Sequence, residues 1–204
     1  PSNILQTLLS RNVQNTFNAI TVDSDASTSD TVLLFATGAA KSIAPTSADD
    51  PVLQDFELAL QSVMLNLAKQ IVCDGEGAQK LIQVNVTGAN SKNSARKIGL
   101  AIANSPLVKT AIAGGDANWG RVVMAVGKSG EKANPDKISV CFGKTIIAEK
   151  GAVVEGYDEA PVTEHLQGRE IHITVDVGLG NGKSTVWTCD LTHGYIEINA
   201  DYRS

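Results

Sequence analysis

One long amphipathic segment, residues 51–73, constrains the fold more than any other feature of the sequence. Pro51 can occupy the first turn of a helix, with Asp49 or Asp50 as its cap. Apolar side chains then recur at three- and four-residue spacing until the sequence reaches CDGEGAQK; they are Val52, Leu53, Phe56, Leu60, Val63, Met64, Leu67, Ile71 and Val72. This spacing predicts a long helix that ends in a glycine-containing turn.

The residues before this helix alternate between apolar and polar stretches. Residues 4–17 carry apolar side chains at helical spacing and predict a first helix, and FNAITV, residues 17–22, predicts a short strand. A loop of Asp, Ser and Thr follows and leads into the apolar run VLLFA at residues 32–36. We predict that this run is a buried strand or helix.

From Lys80 onward the sequence changes character. LIQVNVTG alternates as a strand does, and SARKIGLAIANSPLVKTAIA predicts a helix that is interrupted near Pro106. Further strand-like runs are separated by Gly, Asn and Asp turns; they are KISVCFG, KTIIAEKGAVV, REIHITVDVG, KSTVWTCDL and YIEINADY. The whole pattern predicts the α+β class, with one part at residues 1–80 and a second at residues 81–204.

Charge and composition exclude several classes of partner. The 22 acidic and 17 basic residues give a net charge of −5 without any long run of one sign, which disfavours nucleic acid and anionic membranes. No apolar stretch approaches the roughly 18 residues of a membrane span. The first residues also lack the basic start and cleavage site of a signal peptide. We therefore expect a cytoplasmic protein.

Cysteine and histidine are too few and too scattered for a metal or nucleophile motif. Cys73, Cys141 and Cys189 are an odd number, lie far apart and sit in apolar segments, as buried thiols in a reducing compartment do. The three histidines form no HExxH or paired-ligand spacing. We expect structural roles for them, and neither a transition metal nor a Ser or Cys hydrolase triad.

The turn at residues 74–80 is the first candidate for chemistry. Glu76 lies between two glycines, so the backbone can approach a ligand and the carboxylate is open to a cationic amine. The alternative is a glycine cap at the end of the helix beside a solvated acid, and for an isolated GEG sequence that reading is the commoner one.

Three other motifs have ordinary interpretations that compete with functional ones. GGDANWGR, residues 114–121, could bind an anion, but Asp116 more simply caps a helix. GLGNGK, residues 178–183, matches neither common phosphate loop and predicts a hairpin turn. The acidic and hydroxyl-rich residues 20–31 could bind an ion or could form turns of their own.

Four of these segments occur together, in order, in one known family. TVDSDASTSDTVLL, DGEGAQKL, GGDANWGRVVMAVG and INADYRS resemble the β chains of the ornithine acetyltransferase family of arginine biosynthesis, also called glutamate N-acetyltransferases. The resemblance covers essentially the whole chain. It implies the αββα layered fold shared with L-aminopeptidase-like self-processing enzymes, together with a second, smaller α+β domain.

The resemblance also implies a mechanism. A precursor in this family cuts itself before a threonine, and that threonine becomes the nucleophile at the start of the β chain. It takes the acetyl group from N2-acetyl-L-ornithine and passes it to L-glutamate, with its free α-amine able to act as the base. We expect this threonine upstream of Pro1, so that no catalytic nucleophile lies within residues 1–204.

Three substrate contacts carry over by position. Glu76 in DGEGA is expected to bind the cationic amine of the substrate, and Asn199 and Ser204 in INADYRS are expected to be the other two contacts. Residues 195–204 would then return to the active site. The expected partner is the α chain of the same precursor, in an α2β2 heterotetramer.

Two functions of other kinds compete with acetyl transfer. One is a related self-processing aminopeptidase or amidase with an N-terminal nucleophile, and the other is a non-catalytic scaffold module that is inert without its partner. No resident cofactor is expected. Acetyl-CoA would be a second acetyl donor if the enzyme were bifunctional.

Overall fold

The computed structural model describes residues 1–40 and 43–202, which form helices and a single six-stranded sheet. The helices of this part are α1 (Ser2–Val13), α2 (Gln54–Cys73), α3 (Lys92–Ala103), α4 (Pro106–Ala113), α5 (Trp119–Lys128), α6 (Glu159–Gln167) and α7 (His193–Asp201). Its strands are β1 (Leu81–Ala89), β2 (Ser139–Phe142), β3 (Thr145–Glu149), β4 (Ala152–Val153), β5 (Glu170–Asp176) and β6 (Gly182–Cys189). The predicted α+β class is confirmed.

The strand order places β1 inside the sheet and β6 at its edge. The order is β4-β3-β2-β5-β1-β6, in which β1 runs parallel to β5 and antiparallel to β6. Leu81, the first residue of β1, lies opposite Cys189, the last residue of β6. The chain therefore enters β1 and leaves β6 at the same end of the sheet.

The core forms where helices cover the sheet. Side chains of β1 alternate between buried and half-buried, so that Ile82, Val84 and Val86 all face the core. Helix α3 packs on β1 and β6, and a Cβ on Gly99 would lie 3.1 Å from the Val186 side chain. The glycine thus lets the helix and sheet approach closely.

Helices α3 and α4 confirm the predicted interruption near Pro106. Ser91 caps the start of α3 by accepting from the backbone N–H of Ser94. Ser105 caps α4 in the same way, and Pro106 occupies the first turn of α4, where its missing N–H costs no hydrogen bond.

Helix α2 has apolar residues on two faces. A short 3-10 turn, Pro51–Leu53, leads into α2. Asp50 caps this turn, so of the two predicted caps, Asp49 and Asp50, the structure uses Asp50. The inner face of α2 is buried at Met64, Ala68 and Val72. Further apolar side chains of α2 are exposed to solvent, at Phe56, Val63, Leu67 and Ile71. Exposed apolar side chains grouped along one helix are typical of a surface that another element or chain covers.

The predicted buried element at residues 32–36 is wrong. These residues form no regular structure, and Leu33 and Phe35 are 68% and 81% exposed. The run is apolar, but a strand also needs a neighbour to take its hydrogen bonds. No residue in the described part of the chain pairs with them.

Two further predicted strands are also wrong. Residues 17–22 form a 3-10 turn, Phe17–Ala19, and a single bridge from Ile20 to Trp187. YIEINADY belongs to helix α7, which Thr192 caps through a hydrogen bond from the backbone N–H of Gly194. The alternation of Tyr and Ile suggested a strand, but the Thr192 cap favours the helix.

All six strands lie between residues 81 and 189, whereas the residues before 80 contribute helices and extended chain. The boundary near residue 80 stays a prediction. None of the helices in the described ranges combines the length and apolarity needed to cross a membrane.

Candidate functional site

The turn that carries Glu76 begins where α2 ends. The backbone N–H of Asp74 donates to carbonyls of the last turn of α2, and the chain then turns through Gly75 and Gly77. Gly77 has φ +69°, a left-handed conformation that favours glycine. Glu76 is exposed between them, as its sequence context predicted.

Gly77 lies directly against the start of α7. A Cβ on Gly77 would lie 2.6 Å from the backbone N of Tyr195 and 2.7 Å from the carbonyl carbon of Gly194. Thr192 strengthens this contact because its Oγ1 donates to the carbonyl oxygen of Gly77 at 2.7 Å. The turn and the helix are therefore joined backbone to backbone.

Gly75 has a similar role on the other side of the turn. A Cβ on Gly75 would lie 2.9 Å from the Val22 side chain and 3.3 Å from the Sγ of Cys189. Both neighbours come from other parts of the chain, one from the loop after Ile20 and one from the end of β6. The two glycines of GEG thus permit close packing on both sides of Glu76.

Asp190 holds the end of the turn. This buried residue accepts at Oδ1 from the backbone N–H groups of Gln79 and Lys80, at 2.8 and 2.9 Å. Its Oδ2 has no partner among the described residues. Lys80 in turn donates to the carbonyls of Ile112 and Leu166, near the ends of α4 and α6. The segment after Glu76 is consequently fixed to three elements.

Helix α7 brings Asn199 to this region. Tyr195, one helical turn earlier, donates from its hydroxyl to Asp23 Oδ2 at 2.9 Å. The side-chain amide of Asn199 donates to the Tyr195 carbonyl at 2.9 Å. Glu76 and Asn199 therefore lie on two segments that contact each other at Gly77 and Tyr195, whereas Ser204 lies outside the described residues.

Lys109 is buried beneath the same segments. Its Nζ donates to the carbonyl of Val22 and, at 3.0 Å, to Oγ1 of Thr188, and it lies 3.8 Å from the Sγ of Cys189. Burial lowers the pKa of the Lys109 amine, and the Cys189 thiol and two nearby carboxylates act in the opposite direction. Burial also raises the pKa of the Cys189 thiol. The amine ties the loop before Asp23 to the end of β6.

Two of the other candidate motifs have structural roles that differ from those predicted. The N-cap of α5 is Asn118, which accepts from the backbone N–H of Arg121, so the prediction of Asp116 as the cap was wrong. Asp116 instead accepts from the Asn118 side chain.

The glycine-rich loop at residues 178–183 is not a hairpin turn. It joins β5 to β6, which are separated in the sheet by β1. The loop therefore crosses the end of β1, where the N–H groups of Leu179 and Gly180 both donate to the carbonyl of Gly88. A Cβ on Gly180 would lie 2.7 Å from the Ala89 carbonyl, so the glycine is needed for this crossing.

The histidines and cysteines of the described residues form no metal site. His165 stacks on His172 with ring centroids 5.7 Å apart, and its Nε2 accepts a hydrogen bond from the backbone N–H of His172. Cys73 is exposed, contrary to the prediction of a buried thiol, while Cys189 is buried. Among residues 1–40 and 43–202, no three His, Cys, Asp or Glu side chains are grouped to hold a metal ion.

Two cavities flank the end of the turn. One of about 420 Å³ lies between α4 and the start of α7 and is lined by Gln79, Thr110, Thr192 and His193 among others. Another of about 260 Å³ is lined by residues that include Gln79 and Arg169. Glu76 and Asn199 line neither of them. Their side chains instead lie on the open surface of this chain.

Sequence reasoning missed the residues that hold this region together. Asp23 lies in a loop whose acidic composition points to no single residue, and the local sequence does not mark Tyr195 or Lys109 as functional. The signal was weak because their contacts join segments that are distant in the sequence. Only a lysine on the apolar face of a short helix, at Lys109 in PLVKTAIA, could have suggested a buried amine.

Comparison with known proteins gives one consistent result. The model of the ArgJ family matches residues 1–204. The arginine biosynthesis bifunctional protein ArgJ of Gluconobacter oxydans is 60% identical over 204 residues, which are 100% of this chain and 48% of that protein. The protein of the same name from Zymomonas mobilis is 58% identical over 201 residues, 98% of this chain and 49% of the relative. The chain thus spans about half the length of the curated relatives it matches.

A solved structure agrees with the fold. The crystal structure of the arginine biosynthesis bifunctional protein ArgJ from Bacillus halodurans superposes with a TM-score of 0.94 at 41% sequence identity. The match covers 99% of this chain and 94% of that one.

Proposed function

The chain belongs to the ArgJ family, and from that premise we propose that it is the β chain of an acetyltransferase of arginine biosynthesis. The complete enzyme would move the acetyl group of N2-acetyl-L-ornithine to L-glutamate. The observation that carries the proposal is the junction of the Glu76 turn with α7, the helix that bears Asn199. It brings together two segments that the family resemblance assigned to one substrate site.

The proposed chemistry divides the transfer into two steps. A threonine released by self-cleavage of the precursor attacks the acetyl group of acetylornithine, and ornithine leaves. Glutamate then takes the acetyl group from the acetyl-threonine, so we expect ping-pong kinetics. No threonine of residues 1–204 has this role in the proposal.

This chain would supply substrate contacts. Glu76 is exposed on a rigid turn, and its carboxylate suits the side-chain ammonium of acetylornithine. Asn199 has an amide oxygen able to accept from a substrate, since its Nδ2 already donates to the Tyr195 carbonyl. Ser204 is proposed as the third contact on the resemblance alone.

The partner in the proposal is the α chain, which corresponds to the other half of the curated relatives. The apolar outer face of α2 supports this, since exposed Phe56, Val63 and Leu67 form a stripe along one side. The extended residues around Leu33 and Phe35 add a second exposed apolar segment. Covering both with the α chain would complete the site, and two such pairs would form the α2β2 heterotetramer.

The remaining parts of the proposal concern location and cofactors. We place the enzyme in the cytoplasm. The threonine hydroxyl and its own amine suffice for acyl transfer, so the proposal includes no resident metal or organic cofactor. Acetyl-CoA as a second acetyl donor belongs to the proposal because the curated relatives are named bifunctional.

The test is acetyl transfer by the complete protein with both halves present. We expect ornithine release from acetylornithine and a fall in kcat/KM of about 10- to 100-fold in Glu76→Gln, because a charged hydrogen bond is lost. Glu155→Gln is the matched control, since this exposed glutamate lies beyond β4 at the opposite edge of the sheet.

Three outcomes would contradict the proposal. Turnover of short peptide amides in place of acetylornithine would favour the aminopeptidase alternative. An unchanged kcat/KM in Glu76→Gln would remove this residue from the site. Acetyl transfer by the isolated chain would contradict the assignment of the nucleophile.

A further inference from the structure

Tyr195 occupies the centre of the junction between the Glu76 turn and α7. Its backbone N faces Gly77, its carbonyl accepts from the Asn199 amide at 2.9 Å, and its hydroxyl donates to Asp23 at 2.9 Å. One residue thus contacts both segments of the proposed substrate site and a third segment, the acidic loop. We propose that Tyr195 is a positioning residue, held by Asp23, that fixes the Asn199 amide relative to Glu76.

The hydrogen bond to Asp23 is the part of this arrangement that the fold does not require. Helix α7 is already anchored through Thr192, whose hydroxyl bonds to Gly77 and whose side chain caps the helix. Asp23 is exposed and Tyr195 is half-buried, so neither contributes to the hydrophobic core. A hydrogen bond at such a place adds little stability but restricts the rotation of one end of the helix.

The loop that carries Asp23 is itself held by contacts of the two residues before it. Lys109 donates to the carbonyl of Val22, the residue before Asp23, and the Val22 side chain packs beside Gly75. The N–H of Thr21 also donates to the Trp187 carbonyl at 3.0 Å. Asp23 is therefore presented from a rigid base, as a positioning group must be.

Charge in the neighbourhood is consistent with this geometry. The hydrogen bond to Asp23 raises the pKa of the Tyr195 phenol, and burial and the charges of Asp23, Glu76 and Asp25 raise it further. The phenol consequently stays protonated at neutral pH and can act only as the donor to the Asp23 carboxylate.

The inference rests on the proposed function, because it concerns the geometry of that substrate site. The experiment uses the complete protein and compares kcat/KM for acetylornithine. Tyr195→Phe removes the hydroxyl alone, and we expect a 5- to 20-fold loss with an unchanged Tm. Tyr157→Phe is the matched control, since Tyr157 follows β4 at the far edge of the sheet.

Substitutions at Asp23 test whether the pair acts as a unit. Asp23→Ala should lose as much activity as Tyr195→Phe, and the double variant should lose no more than either single one. Asp23→Asn keeps an oxygen acceptor for the hydroxyl and should retain activity within about threefold of the unsubstituted protein. This rescue is not expected from a residue that merely supports the fold.

The results that would overturn the inference are separate from those that would overturn the function. An unsubstituted protein without acetyl transfer would refute the proposed function and the inference with it. In an active protein, a loss below twofold in Tyr195→Phe, or losses that multiply in the double variant, would refute the inference alone. Asp23→Asn as damaging as Asp23→Ala would show that the charge of Asp23 acts directly, and would also refute it. If Tyr195→Phe lowered the Tm, the two Asp23 variants would decide between these outcomes.

Discussion

Gly77 and Gly194 meet at a distance that leaves no room for a side chain on Gly77. A Cβ there would overlap the backbone of Gly194 and Tyr195, and the φ of +69° adds its own strain. We predict that Gly77→Ala lowers the free energy of unfolding by about 2–4 kcal/mol. Gly130→Ala should cost only about 1 kcal/mol, because Gly130 has φ +73° with nothing nearby. Urea unfolding of both variants measures the difference, and equal losses would mean that the close approach carries no cost.

Replacing the buried Lys109 amine tests whether its hydrogen bonds outweigh the cost of burying a charge. Lys109→Met removes that cost but leaves the Val22 carbonyl and the Thr188 hydroxyl without their donor. We expect a net destabilisation of about 2 kcal/mol, since unpaired buried acceptors are expensive. Lys92→Met, at an exposed position, should change the free energy of unfolding by less than about 0.5 kcal/mol. A higher free energy of unfolding in Lys109→Met would show that burying the charge destabilises the fold by more than the hydrogen bonds of the amine stabilise it.

Changes to the two faces of α2 should have different effects. Phe56→Ser and Leu67→Ser lie on the exposed face, so we expect them to weaken recovery of the proposed α chain with a tagged form of this chain, while leaving the fold of this chain intact. Met64→Ala lies on the buried face and should destabilise the chain itself by about 2–4 kcal/mol. Undiminished recovery of the α chain in Phe56→Ser with Leu67→Ser would place the partner elsewhere.

The stacked histidines predict a loss of stability in acid. Burial lowers the pKa of His165, and the charge of His172 lowers it further. Between that lowered pKa and the ordinary value near 6.5, the unfolded chain binds a proton that the folded chain does not. Stability should therefore fall as the pH drops below about 6.5. His165→Gln should make the Tm less dependent on pH between about 7 and 5, and an unchanged slope would assign the acid sensitivity to other groups.

The parts of the fold that sequence predicts well are those decided by local pattern. The apolar spacing of residues 51–73 indicated helix α2, and Pro106 indicated the break between α3 and α4, because caps, prolines and periodicity act within a few residues. The position of β1 between β5 and β6 could not be predicted in this way. Strand pairing depends on contacts between distant segments, which one sequence does not reveal.

Two of the wrong strand predictions share one physical cause. Residues 32–36 and YIEINADY both contain apolar, β-branched residues that suit a strand, but neither has a strand beside it. For the candidate site, the resemblance supplied Glu76 and Asn199. It gave no indication of the Asp23–Tyr195 hydrogen bond, which joins residues near opposite ends of the chain.

The register of the antiparallel pairing between β1 and β6 determines how the two segments of the proposed substrate site are aligned. With Leu81 opposite Cys189, the turn before β1 and the helix after β6 emerge side by side. A slip of two residues between these strands would keep every side chain on its own face of the sheet. It would nevertheless displace the start of β1 from the end of β6 by about 7 Å. Mispairing at this sheet edge would thus separate Gly77 from the start of α7 without turning any core side chain outward.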